Sequence, residues 1–236
     1  MGADKIRKAM KEVLSFLSDL KENNNREWFQ ANKSRYLKIK AIHEEFIREL
    51  IQEIAEFDPE IDGLLVKDCI FRIYRDTRFA ADKTPYKTHI GAFMVKGGKM
   101  NPRGGYYVHI EPEGSLFAGG IWCPSPAMLK ALRRDVYDNV EEFLAIIRNP
   151  EFEKYYYMDG EKLKKVPVPF PKDFPEAELL KYKTYTVTNR ISDGFWEEDR
   201  LVKRCAERLK LLLPFNRFLN YTVDESMQGG YTPRIY

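Results

Sequence analysis

Apolar residues recur at helical spacing from the start of the chain. Val13, Phe16, Leu17 and Leu20 predict a first helix over residues 4–21. The polar run Asn23-Asn24-Asn25 interrupts the pattern, and one of these asparagines is expected to cap a second helix by accepting backbone N–H groups. That helix carries Trp28, Phe29, Tyr36 and Ile39. It continues or restarts through Ile42, Phe46, Leu50 and Ile54 to Asp58-Pro59.

The period then shortens towards two. Strands are predicted at 69–75, 88–96, 105–112 and 115–122, with turn signals at Gly97-Gly98, Gly104-Gly105 and Pro112-Glu113-Gly114. Ser125-Pro126 opens a helix, Ser as N-cap and Pro at the first helical position. Its face Leu129, Leu132, Val136, Val140, Phe143 and Ile147 packs on the sheet. Residues 149–181 are irregular, and the alternate prolines 167, 169 and 171 make V-P-V-P-F-P an extended surface segment. A fifth strand follows at 182–190. Asp193 then caps a helix with Leu201, Val202, Cys205, Leu209 and Leu212 inward, and a short helix after Pro214 leads into a Gly-rich tail.

Helices, then strands, then helices indicate an α+β fold, an antiparallel β-meander sheet of about five strands covered by N-terminal and C-terminal helices. The expected layout is a single domain over residues 1–236: N-terminal helices 4–58, sheet 67–123, helix 125–148, Pro-rich extended segment 149–181, and C-terminal strand and helices 182–224.

Composition sharpens this picture at a few points. Hydrophobic content of 44% and aromatic content of 14% describe a folded globule. The net charge of +3 is too small to mark a nucleic-acid binder, but residues 67–104 hold nine Lys/Arg against three Asp, a local +6. Cys69, Cys123 and Cys205 are far apart, which suits a reducing cytoplasm and not a disulfide scaffold. No apolar run is long enough to span a membrane, and the first helix is too charged for a signal peptide. Met1-Gly2 is followed by Ile6 where a myristoylation signal wants Ser or Thr. A soluble cytoplasmic protein is expected.

The chemistry-bearing stretch is R-I-Y-R-D-T-R-F-A-A-D-K-T-P-Y, Arg72 to Tyr86. A buried guanidinium is costly unless paired, so this run either builds an internal Arg–carboxylate lattice or presents a site for an anion. Alternation puts Phe71 and Ile73 on one strand face and Arg72 and Tyr74 on the other. It likewise separates Tyr106, Val108 and Ile110 from Tyr107, His109 and Glu111. The two polar sets could meet on one sheet face, or that face could simply be solvated. An anion site would use Arg72, Arg75, Arg78 and Lys83 as cations, with Asp82 in the ligand-binding set and Tyr86 and Tyr107 for stacking; Asp76 and Asp82 could instead occupy those cations as internal partners. Asp76 or His109 are then the candidates for proton transfer.

No phosphate-binding loop, dinucleotide fingerprint or nucleophile elbow occurs. The three histidines, His43, His89 and His109, are scattered, and His109 with Glu111 makes only two ligands, so no metal site and no cofactor are expected.

Read together, R72-x-x-R75-D76-x-R78-F79-x-x-D82-K83-x-x-Y86, N-N-x-R-x-W-F (Asn24 to Phe29) and G-G-x-W-x-P (Gly119 to Pro124) resemble a bacterial family, domain-of-unknown-function family 2461. The resemblance covers essentially the whole chain and implies no established reaction. Three readings stay open. The first is binding of a phosphate- or carboxylate-bearing small molecule at the Arg/Lys/Asp loop, with or without catalysis. The second is a nucleic-acid-binding module using Lys96, Lys99 and Arg103. The third is a non-catalytic interaction domain with a structural Arg–Asp network. No membrane partner is expected, and oligomeric state is not legible.

Overall fold

A computed structural model describes residues 3–229. The Met1-Gly2 reading and most of the Gly-rich tail lie outside the described residues. The helices preceding the sheet are α1 (Ala3–Glu22), α2 (Arg26–Ala31), α3 (Lys33–Ala55) and the one-turn α4 (Val66–Cys69). Strands β1 (Ile90–Met94), β2 (Gly105–Ile110) and β3 (Leu116–Ile121) come next, then α5 (Pro126–Asp138), α6 (Val140–Ile147) and α7 (Pro150–Glu153). The two-residue β4 (Tyr157–Met158), α8 (Ala177–Leu180), β5 (Tyr185–Arg190), α9 (Leu201–Lys210) and α10 (Leu213–Gln228) complete the order. The five strands form one sheet in the order β1-β2-β3-β5-β4, so the fold is α+β as expected.

The chain packs as two compact units. The first comprises, among the described residues, 3–99, 107–117 and 190–210. Its core is built by the helical stripes read from the sequence: Phe16, Leu17 and Leu20 of α1, Phe46 and Leu50 of α3, and Leu201, Cys205 and Leu209 of α9 are all fully buried. Trp196 is fully buried among them. It meets Phe46 and Phe117 edge-on at 6.0 Å and donates its indole N–H to Ser115 Oγ at 3.0 Å. Ser115 also accepts from Glu111 N (3.0 Å) and donates to the Glu111 carbonyl (2.8 Å). One buried hydroxyl therefore ties the β2–β3 turn to the core and sets the position of Glu111.

The second unit comprises, among the described residues, 100–106, 118–189 and 211–229. Here Asn216 and Asn220 of α10 clamp glycine backbone. Asn216 accepts from Gly120 N (2.8 Å) and donates to Gly105 O (3.0 Å), while Asn220 makes the same pair of contacts with Gly104. Gly120 has φ +97, and a Cβ there would run into the Tyr185 carbonyl, so only glycine fits. This accounts for the second glycine of the G-G-x-W-x-P run.

Several elements depart from the expected ones. Residues 69–75 do not form a sheet strand. Cys69 ends α4, and the following segment is extended, held by isolated bridges Ile70↔Ala92 and Tyr74↔Tyr86. Arg75 N donates to Pro85 O (3.0 Å), but Pro85 has no N–H to return, and the ladder stops there. The strand expected at 182–190 forms as β5, and the place of 69–75 among the five is taken by β4, inside the Pro-rich segment, pairing Tyr157 with Thr188 and Met158 with Val187. The helix expected over 125–148 breaks at Asn139, whose side chain turns back to the Asp135 carboxylate at 2.7 Å. Asp193 does not cap a helix through its side chain; its carboxylate accepts from Glu113 N at 3.0 Å and fastens the β2–β3 turn. The helix around Pro214 runs for 16 residues and is not short. The caps at Asn25 (from Trp28 N, 2.9 Å) and Ser125 (from Met128 N, 3.2 Å) form as the sequence predicts.

Candidate functional site

The Arg72–Tyr86 motif lies within the first unit and divides into three parts. The distal loop is an ion-pair lattice. Arg78 pairs with Asp76 through Nε (3.0 Å) and Nη2 (2.7 Å), and Arg75 is bonded to Asp82 and to the Thr84 hydroxyl. Lys83 Nζ donates to the Thr77 carbonyl at 3.0 Å. The bond from Arg78 holds the Asp76 carboxyl below its usual range; bonds from Arg75 and Thr84 hold that of Asp82 down to about 2. Four cations and carboxylates predicted for an anion clamp therefore satisfy one another.

The end of the motif is structural. Tyr86 is buried and stacks on Phe29 at 3.9 Å, while its backbone is gripped by the Asn24 amide, which accepts from Tyr86 N (3.1 Å) and donates to Tyr86 O (2.9 Å). The N-N-x-R-x-W-F run and the arginine motif thus meet at one point. Tyr86 belongs to the core and has no free face for a ligand.

The start of the motif borders a cavity of about 320 Å³ lined by Ile70 to Tyr74, Ile90, and Tyr36, Lys40 and His43 of α3. Arg72 stands on its exposed side with no hydrogen bond or ion pair among the described residues. Lys40 reaches Glu44 only at 3.4 Å. His43 is buried and its Nε2 has no hydrogen-bond partner; burial lowers its pKa to about 4, so the imidazole is neutral at pH 7. Burial, and then the neighbouring Tyr74, raise the Tyr36 phenol. The α3 contribution was not singled out in the sequence, where His43 reads as an ordinary helix histidine.

The sheet gathers a second cluster. Tyr106, Val108 and Ile110 are buried, and the alternate residues of β2 face the other way, as alternation predicts. Tyr107 Oη lies 2.9 Å from His109 Nδ1, and His109 Nε2 lies 3.1 Å from Glu111 Oε2. Thr88 donates to Glu111 Oε1 at 2.6 Å. His89, just before β1, stacks on His109 with ring centroids 4.1 Å apart. Burial, reinforced by His109, lowers the His89 pKa to about 4, and burial pushes the Tyr107 phenol up to about 12. Burial raises the Glu111 carboxyl, but the bonds from Thr88 and His109 outweigh it and the net shift is downward.

Arg72 and Tyr74 do not join this cluster. They line the α3 cavity, and Phe71, which borders the same cavity, stands edge-on to Tyr107 at 6.2 Å. The basic hairpin residues are occupied too: Lys96 pairs with Glu60 (2.8 Å), Lys99 donates to the Lys67 carbonyl (3.1 Å), and Arg103 bonds Asp224.

These features define an α+β protein with an antiparallel open sheet, one half-buried His–Glu–Tyr face and a separate cavity edged by cations. The chain belongs to the family described as conserved hypothetical protein (DUF2461), whose model matches residues 12–218. No curated protein and no solved structure matches it. Among the described residues no helix is long and apolar enough to cross a membrane.

Proposed function

We propose that the protein binds a small anionic molecule in the cavity between α3 and the Ile70–Tyr74 segment. The observation that carries this reading is Arg72. It lines this cavity and makes no hydrogen bond or ion pair among the described residues, its charge acting on Asp76 only through space. Arg75 and Arg78, by contrast, each hold a carboxylate of their own loop. Lys40 adds a second cation at the same wall, and Tyr36 and Tyr74 add phenols. Ile70, Ile73 and Ile90 make the remaining wall apolar. The complementary ligand has a carboxylate or phosphate head and an apolar or aromatic body. A volume of about 320 Å³ suits a small metabolite. Neutral His43 contributes no charge, so Arg72 and Lys40 set the selectivity for anions.

The test is a thermal-shift panel of phosphorylated and carboxylated metabolites, nucleotides and short RNA. A ligand at about a hundred times its Kd should stabilise the protein by roughly 2.7 kcal/mol. Arg72→Gln should abolish that shift, and Arg78→Gln, outside the cavity, should retain it. Loss with both variants, or a panel without any shift, rejects the cavity as an anion site. The Arg75–Asp82 and Arg78–Asp76 pairs favour a second reading for the distal loop alone, an internal network that shapes a surface without binding a ligand.

A further inference from the structure

His89, His109 and Glu111 were brought together by the pairing of β1 with β2, and no spacing in the sequence announces them. One ligand-type atom from each lies within 4.8 Å of the other two. We propose that these three residues form a site for a divalent transition-metal ion of the zinc class, distinct from the anion cavity.

The donor set supports this choice. Two imidazoles and one carboxylate suit zinc and its first-row neighbours, whereas magnesium and calcium prefer all-oxygen sites. Bonds of about 2.0–2.2 Å to one ion place neighbouring donors roughly 3–3.6 Å apart. His109 Nε2 and Glu111 Oε2 already stand at 3.1 Å. His89 stacks on His109 with centroids 4.1 Å apart, so its ring must turn out of the stack to direct a nitrogen at the same ion.

The surroundings are those of a supported metal site. In the metal-free protein His109 Nε2 faces Glu111 Oε2 at 3.1 Å and Nδ1 faces the Tyr107 hydroxyl at 2.9 Å. An ion bound between Nε2 and Oε2 requires Nε2 without its hydrogen. The imidazole then carries its hydrogen on Nδ1 and donates it to the Tyr107 oxygen 2.9 Å away, with the Tyr107 hydroxyl hydrogen turned outward. Thr88 meanwhile holds Oε1 and leaves Oε2 for the ion. Outer partners of this kind orient metal ligands and tune their affinity.

Two glycines keep the space clear. A Cβ on Gly91 would meet the Tyr107 hydroxyl at 2.9 Å, and one on Gly114 would meet Glu111 Oε2 at 2.9 Å. The His109 and Glu111 side chains are partly accessible, at 13% and 25%. Three protein ligands leave at least one position open to water or substrate, the arrangement of a catalytic and not a structural site. Lys87, the cation of this neighbourhood, places its ammonium over the Phe71 ring at 5.6 Å and not among the ligands.

Chelator-treated full-length protein should be titrated with Zn²⁺, and with Co²⁺ as a visible probe. One equivalent per chain is expected, with a raised unfolding midpoint and cobalt d–d absorption. His89→Ala and His109→Ala should each weaken binding by at least about a hundredfold, and Tyr107→Phe by roughly 10–100-fold with stoichiometry unchanged. Absence of stoichiometric uptake, or uptake indifferent to removal of both histidines, overturns the proposal. If the alanine variants do not fold, imidazole ¹⁵N spectra of the wild type decide. Zn²⁺ must shift His89 and His109 and spare His43, and any other pattern overturns the assignment.

Discussion

Buried His43 makes stability depend on pH in a way that can be calculated. Its folded-state pKa of about 4 lies below the ordinary value of 6.5, because burial disfavours the charged imidazolium. A depressed pKa means that the unfolded chain binds a proton which the folded chain refuses. The contribution is therefore fully present above the ordinary value and is lost as pH falls from there to the folded value. The whole span is worth on the order of 3 kcal/mol, of which roughly 2 kcal/mol should disappear between about pH 7 and pH 5. Arg72 and Lys40 share the cavity wall and offer His43 no counter-charge. The perturbation is His43→Leu, which keeps the volume and removes both the titrating group and the unpartnered Nε2. Urea unfolding of both proteins across this range, without ligand, gives the comparison. His89 has a lowered pKa as well and tilts both curves alike, so the difference between them isolates His43. The wild type should lose about 2 kcal/mol more than the variant on acidification. Parallel curves would refute the buried neutral histidine.

Other expected outcomes follow from single contacts. Ser115→Ala leaves Trp196 Nε1 and Glu111 N without their acceptor and should cost roughly 2–4 kcal/mol in urea unfolding. Gly120→Ala forces a Cβ into the Tyr185 carbonyl at positive φ, so it should destabilise by more than about 2 kcal/mol, with a loss of midpoint readable by circular dichroism. Asn24→Ala releases the backbone of Tyr86, and limited proteolysis should then cut the 75–86 loop faster while the far-ultraviolet spectrum is unchanged. Asp76→Asn breaks a pair exposed to water and screened by salt, so the unfolding midpoint should stay at the wild-type value in a calorimetric scan.

Much of the fold was legible because it depends on short-range periodicity. The stripes of α1, α3 and α9 are buried as read, and the caps at Asn25 and Ser125 need only one side chain and the next turn. Alternation in β2 separated Tyr106, Val108 and Ile110 from Tyr107, His109 and Glu111 before any partner strand was known. Residues 69–75 were misread for a converse reason. Their alternation is real, but Ile70 pairs with Ala92 and Tyr74 with Tyr86, so the partner segment carries two extra residues between the bridges and no continuous ladder forms; Pro85 ends the pairing at Arg75.

The sequence by itself determined the α+β class, the faces of the main helices and the face of β2 that carries chemistry, since each follows from spacing along one element. Tertiary structure alone decided which charges are free. Arg72, Arg75 and Arg78 are equivalent in the motif, but Asp76 and Asp82 lie within reach of the latter two, and Arg72 is left against α3. It also decided that His89 joins His109, and that Asn24 holds Tyr86 across 62 residues of chain. Such contacts depend on how distant segments pair, and local periodicity carries no information about the partner.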